Sequence, residues 1–344
     1  MCWQRFDGCP KSNSTRMCNV KASSDHAIEN LPFMPRMPEV SGMLLVTGIT
    51  GHSGRLFAER LTREHYPGAI RCALRPASDA GFLKKTALDY STVVGDIAAP
   101  EFLDGIMQGV DTVLHIAGIQ LSVKIVAAAI RNHVRWVILV HTTGRYSKYK
   151  SAAAEYIKIE DDILQLRDQI AVTVLRPTMI YGSSRDRNMY KLVDYLYRHK
   201  FFPLFGSGRN LMQPVLAQDL ANAYYSVLMN REITINREYD LSGKEPISYL
   251  DLVRTVSREL GRKNVIVPIP MWLSLLGAKA YNAVSRKPQI NVEQVMRMNE
   301  DKVFSHEAAA RDFGYSPASF QDGIKGEVEE YLAGRADLLK KLKS

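Results

Sequence analysis

The chain has 344 residues, 46% of them hydrophobic and 24% charged, and a formal net charge of +9. That length buries a sizeable core and exceeds one ordinary domain, so a large domain with a smaller lobe is expected, while no apolar run approaches the ~18 residues that span a bilayer. Basic residues are spread along the chain among acids, which points to a solvated surface and an anionic cofactor rather than to nucleic acid.

In chain order, residues 1–42 hold Pro32, Pro35 and Pro38 among many polar residues without the apolar core of a secretory signal, and read as a disordered tail or an over-long start. Cys2, Cys9, Cys18 and Cys72 match no zinc spacing and read as free thiols in a reducing, cytoplasmic setting, and no metal site is expected. The stretch MLLVTGITGHSGR, residues 43–55, is the organising one: strand, tight turn, helix. Gly48 permits the turn, Gly51 lets the backbone approach a ligand, and Gly54 lets helix pack on strand. The bare N–H groups of such a helix start, with Thr50, His52 and Ser53 beside them, suit a pyrophosphate.

A second apolar run, 69–74, ends at Arg75, where a dinucleotide-binding unit reads the adenosine ribose; arginine suits a 2′-phosphate and favours NADP over NAD, although it also stacks on adenine. Runs at 91–97, 111–116, 136–140 and 171–175 alternate with helical patterns at 100–107, 121–133 and 151–167. Strand–helix alternation predicts an α/β fold, a Rossmann-type doubly wound parallel sheet. Beyond Pro177 the pattern predicts helices over 188–199 and 218–229, an apolar hairpin or loop over 201–208, strands over 238–241 and 265–267, and a helix capped by Ser248 and ended by Gly261. The remainder, 271–283, 292–298, 305–312 and 320–331, reads as helical. The stripe Trp272, Leu275, Leu276 and Tyr281 is expected to pack on the core, with a membrane-surface or partner helix as the other reading. The expected organisation is a tail over 1–42, a dinucleotide-binding domain over 43–182, a mainly substrate-binding lobe with segments returning to the sheet over 183–335, and a basic tail over 336–344.

Several motifs together resemble the short-chain dehydrogenase/reductase superfamily in its extended branch, the NAD-dependent epimerases and dehydratases. They are TGITGHSG at 47–54, GDI at 95–97, HIAG at 115–118, LRPTMIYG at 175–182, QPVLAQDLANA at 213–223, YDLSGKEPISYLDL at 239–252 and FGYSP at 313–317. The resemblance implies that Asp96 and Ile97 contact adenine, that Ala117 and Gly118 line the path to the nicotinamide ribose, and that Pro177 and Thr178 flank the nicotinamide. It also implies a small-molecule substrate, nucleotide-sugar-like or a simple carbonyl or alcohol, and a homodimer through two sheet-flanking helices.

The family's proton chemistry uses a Ser or Thr with a Tyr and a Lys four residues later, because a phenol needs a nearby cation to act as a base at neutral pH. Thr142 stands in the Ser/Thr place. Tyr146 has Lys150 at the fourth position after it, but matches the family's structural tyrosine; Tyr149 is followed there by Ala153 and Tyr156 by Glu160. If Glu160 matches the family's glutamate, Tyr156 falls on the lysine and Ala152 on the tyrosine, an atypical site. Two classes of function follow: an oxidoreductase, epimerase or dehydratase using Tyr146, Tyr149 or Tyr156 with Lys150 or Lys158, and a catalytically silent NAD(P)-binding regulatory or assembly protein. Arg185, Arg187, Asn188, Arg209 and Asn210 are the expected substrate contacts of the second lobe.

Overall fold

The structure, a computed structural model, describes residues 42–186, 188–284, 296–297 and 299–341. The expected N-terminal tail, Arg187 and most of the helix expected over 292–298 lie outside the described residues.

The first part of the chain alternates β1 (Met43–Thr47), α1 (His52–Arg63), β2 (Ile70–Leu74), β3 (Tyr90–Val94), α2 (Pro100–Met107), β4 (Val110–His115), α3 (Ser122–Arg131), β5 (Trp136–Val140), α4 (Lys150–Leu164) and β6 (Ala171–Pro177). It continues through β7 (Ile180–Tyr181), α5 (Met189–Arg198), β8 (Phe201–Phe205), β9 (Leu211–Met212), β10 (Val215–Leu216), α6 (Ala217–Met229) and α7 (Arg231–Thr234). After β11 (Glu238–Leu241) come β12 (Ile247–Ser248), α8 (Tyr249–Glu259), β13 (Val265–Ile269) and α9 (Met271–Val284), then helices Glu307–Phe313 and Phe320–Lys341.

Seven parallel strands form the central sheet in the order β3-β2-β1-β4-β5-β6-β11. Strand β5, WVILV, next to the central strand β4, is buried at every position, as a strand covered by helices on both faces must be. On one face Phe57, Ala58 and Leu61 of α1 pack with Leu220, Tyr224 and Val227 of α6; on the other Leu103 of α2, Ile125 and Ala129 of α3 and Ile163 of α4 cover the sheet. A third core joins Val193 and Leu196 of α5, Leu252 and Val256 of α8 and Phe320, Ile324 and Val328 of the last helix.

Three expectations change. Residues 201–205 form a strand, β8, which pairs in parallel with β13 some sixty residues on rather than closing a hairpin. The last helix runs to Lys341 rather than stopping near Tyr331, and Arg335 on its extension sits 5.2 Å from the Tyr197 ring centroid, a cation–π contact that favours continuing the helix. Trp272 and Leu276 are 67% and 57% exposed, so these two residues of the stripe on α9 do not pack on the core as expected; Leu275 is half-buried, and the side chain of Tyr281 lies outside the described residues. No helix among the described residues is long and apolar enough to cross a membrane, and no cluster there could hold a metal ion. Cys72 is buried and unpaired, its thiol pushed up to about 12 by burial.

Candidate active site

At the turn between β1 and α1, Gly48 adopts φ +83°, and a Cβ there would lie 2.9 Å from the Ala117 backbone N. A Cβ on Gly54 would fall 2.2 Å from the Gly48 carbonyl oxygen, so the helix can approach the strand only if this residue is glycine. No side chain caps α1, which leaves its first N–H groups to a ligand. On the far side His115 joins the ends of β1 and β4: its Nε2 lies 2.9 Å from the Gly118 carbonyl and its Nδ1 2.7 Å from Thr47 Oγ1. A carbonyl only accepts, so Nε2 carries the proton and Nδ1 accepts from Thr47. Burial lowers the His115 pKa to about 4, and the neutral ring holds the Ala117–Gly118 turn. Sequence reading did not single out His115.

The turn opens into a cleft of about 1190 Å³ at the carboxyl ends of the strands, beside the point where the strand order reverses, the place where open α/β sheets bind ligands. At one end it is bordered by Gly48, Thr50, Gly51, His52, Ser53, Arg75, Ser78, Asp96 and Ile97, and in the middle by Ala117, Gly118, Thr142, Tyr156, Pro177 and Thr178. Asp96 accepts from the Ala98 N–H at 2.9 Å and so shapes its own loop. Arg55 is occupied elsewhere, by Asp79 at 2.9 Å and the Phe82 ring at 4.3 Å. The Arg75 side chain, next to Ser78, makes no ion pair among the described residues and stays available to an anion. Gly54 stands behind this lining as a packing position.

Of the residues expected to carry proton chemistry, the cleft brings together Thr142 and Tyr156 but not Tyr146 or Tyr149. Thr142 and Tyr156 both border the cleft; Thr142 Oγ1 and Tyr156 Cε2 each lie 3.3 Å from the point that a Cβ on Gly144 would occupy. Thr142 Oγ1 accepts from the Gly144 N–H at 3.0 Å. Tyr146 points away: its hydroxyl donates to Asp240 at 3.2 Å and accepts from Arg176 at 2.9 Å, and burial, opposed by Arg176, raises its pKa. Tyr149 precedes the first turn of α4 and does not border the cleft. The side chain of Lys150 lies outside the described residues, and Lys158 is exposed and paired with Asp162 at 3.2 Å. Of the expected substrate contacts, Arg185 and Asn188 border the cleft, whereas Arg209 and Asn210 do not.

One turn beyond Tyr156 on α4, Glu160 faces inward and is fully buried. It accepts from His141 Nδ1 at 2.8 Å and Arg176 Nε at 2.8 Å, and from Arg145. With Nδ1 donating, His141 Nε2 accepts from Ser122 Oγ at 3.0 Å. Burial, reinforced by Arg176 and Arg145, lowers the His141 pKa to about 3. Ser122, His141 and Glu160 have the connectivity of a hydrolytic triad, but Ser122 is fully buried and does not border the cleft. Their effect is to fix the end of β5 from which Thr142 projects.

Comparison with known proteins matches the NAD dependent epimerase/dehydratase family over residues 44–146 and the 3-beta hydroxysteroid dehydrogenase/isomerase family over residues 127–271. Both matches agree with the resemblance to the extended branch of the short-chain dehydrogenase/reductase superfamily. Among similar proteins, uncharacterized protein y4nG of Sinorhizobium fredii is 23% identical, over 86% of this chain and 80% of its own. Short-chain dehydrogenase/reductase family 42E member 1 of Mus musculus is 24% identical, over 51% of this chain and 48%, about half, of its own. The crystal structure of DesIV, a dTDP-glucose 4,6-dehydratase from Streptomyces venezuelae with NAD and TYD bound, superposes with a TM-score of 0.64 at 20% identity, covering 86% of this chain and 98% of that one. The cleft fits an NAD(P) dinucleotide: the glycine positions leave no room for a Cβ, and the uncapped helix start supplies donors.

Proposed function

We propose that the protein is an NAD(P)-dependent oxidoreductase of the epimerase/dehydratase type, with NADP as the preferred coenzyme. One observation carries the reading: a single cleft joins the glycine turn to Thr142 and Tyr156. Gly48, Gly51 and the N–H groups of α1 would hold the pyrophosphate, with Thr50, His52 and Ser53 around it; Asp96 and Ile97 would meet the adenine, and Ala117, Gly118, Pro177 and Thr178 the nicotinamide half. Arg75 and Ser78 favour the 2′-phosphate form. The bound nicotinamide supplies hydride chemistry. Tyr156 would exchange the proton with the substrate oxygen that Thr142 orients, and residues 183–335 would supply most substrate contacts. Cys72, kept as a buried thiol, supports a reducing, cytoplasmic setting; a homodimer through sheet-flanking helices is the arrangement that the resemblance implies, and sedimentation tests it.

On the register that matches Glu160 to the family's glutamate, Tyr156 falls on the family's lysine, and Lys158 is paired with Asp162 instead. That favours a second reading, a dinucleotide-binding protein without turnover. Nicotinamide absorbance with NADPH or NADH and a panel of carbonyl compounds and nucleotide sugars decides between them. Turnover lost on Tyr156→Phe and kept on Tyr146→Phe supports the first reading; tight coenzyme binding with no turnover supports the second.

A further inference from the structure

The second lobe closes the cleft with side chains ill suited to a sugar. Met179, Met189 and Leu192 of the β6–α5 region, Met212 of β9, and Tyr249 and Leu252 of α8 border it. Hydroxyl recognition needs convergent polar groups, and among the described residues the uncharged ones here are Asn188 and Tyr249, with Arg185 beside them. Asp186, nearby, is occupied: its Oδ1 accepts from the N–H groups of Asn188 and Met189, both at 2.7 Å, and of Tyr190 at 3.2 Å.

Two cations border the same end, Arg297 and Lys302. The segment that carries them sorts its charges. Glu300 is turned toward the loop after β5, accepting from Ser147 Oγ at 2.9 Å and the Lys148 N–H at 2.6 Å; Asp301 accepts from the Leu211 N–H at 2.7 Å. Both acids tie the segment down, beside β9 and beside the loop that follows Thr142. The two bases are left facing the cleft, with no ion pair among the described residues. Arg297 Nε is buried without a hydrogen-bond partner there. Lys302 is held below the usual lysine pKa by burial and by Arg297. Two cations held together in an apolar wall call for an anion between them.

We infer that the substrate is an amphipathic anion, an apolar chain or ring system bearing one phosphate or carboxylate, with Arg297 and Lys302 on the anionic group and the methionine-rich wall on the apolar body. Flexible methionines suit an apolar partner of irregular shape. The inference rests on the reading of the other end as the NAD(P) site, and it replaces a nucleotide sugar by a different class of substrate.

The test is isothermal titration of the full chain, saturated with NADPH, with octyl phosphate, octanoate, 1-octanol and UDP-glucose. Octyl phosphate or octanoate is expected to bind about tenfold or more tightly than 1-octanol, the scale of one charge-assisted hydrogen bond, and more tightly than UDP-glucose; which anion binds better separates phosphate from carboxylate. Lys302→Met and Arg297→Gln are each expected to lower anion affinity by about tenfold and leave 1-octanol unchanged, while Lys302→Arg retains it. NADPH titration of each variant checks that the cleft is intact. UDP-glucose binding more tightly than both anions, or anion affinity unmoved in Lys302→Met and Arg297→Gln, overturns the inference. Octyl phosphate binding in a protein that fails to bind NADPH would leave it standing and count against the coenzyme reading.

Discussion

Glu160 accepts hydrogen bonds from His141, Arg145 and Arg176 while itself fully buried, so its charge is what makes the nearly buried Arg176 tolerable. Removing one partner of such a group strands the other in a poorly solvated place. Glu160→Gln is expected to cost about 3 kcal/mol, at the low end for a buried ion pair because Glu238 also contacts Arg176; urea unfolding measures it. Arg75 has the opposite character, exposed and unpaired at the cleft mouth. Arg75→Ala is expected to weaken NADPH by about 1–3 kcal/mol and NADH by much less; coenzyme fluorescence titration checks this, and equal losses would speak against a 2′-phosphate contact. Thr142 is expected from the Ser/Thr place that the resemblance implies, and at the end of the buried strand β5 it does border the cleft. The tyrosines could not be separated that way. Tyr146 carries the better spacing to a lysine, yet its hydroxyl is held by Arg176 and Asp240, the latter 94 positions away. Arg297 and Lys302 carried no local signal at all, since what marks them is the missing ion pair.

At the scale of elements, the glycine turn was readable because the constraint is local. The Gly54 position touches backbone only five and six residues back, at Ile49 and Gly48. Gly54→Val is expected to force α1 off β1, abolish coenzyme retention and lower stability by about 2 kcal/mol or more, as overpacking against rigid backbone does; circular-dichroism melting and NADPH titration follow both. Variant protein that binds NADPH normally would show that the helix mouth is not the site. The strands of the sheet were legible as apolar runs bounded by turn residues. Their neighbours beyond β6 were not: β8 reads as apolar with a glycine close behind it, the mark of a hairpin, but its partner β13 lies after α6, β11 and α8. Periodicity reports which face a strand buries, not which strand lies beside it.

For the molecule as a whole, two buried histidines and a buried glutamate make opposite contributions to how stability varies with pH. His115 and His141 have folded-state pKa values near 4 and 3, below the usual 6.5. The unfolded chain therefore takes up their protons first, and the contribution of the two histidines is full above 6.5 and is lost as the pH drops from there through 4 toward 3. Glu327 has the opposite sign. It is fully buried, its Oε2 accepts from the Gly182 N–H at 2.8 Å, and neither its Oε1 nor Asp186 Oδ2 has a donor among the described residues. A proton between the two carboxyls satisfies both. Burial first, and Asp186 next, raise the Glu327 pKa to about 9. Its contribution is present below the unfolded value of 4.5 and is lost progressively as the pH rises toward 9. The group ties the last helix to the chain leaving β7, which leads into the cleft-bordering start of α5, so alkaline loosening is expected to begin there. Glu327→Gln keeps an acceptor for Gly182 and supplies a permanent donor toward Asp186. It is expected to stabilise by about 1–3 kcal/mol at pH 8, the range for a buried polar group otherwise left unpaired, and to change little at pH 5. Calorimetric melting of both proteins at the two pH values measures the difference; an equal shift at both would mean that packing, not the proton, sets the effect.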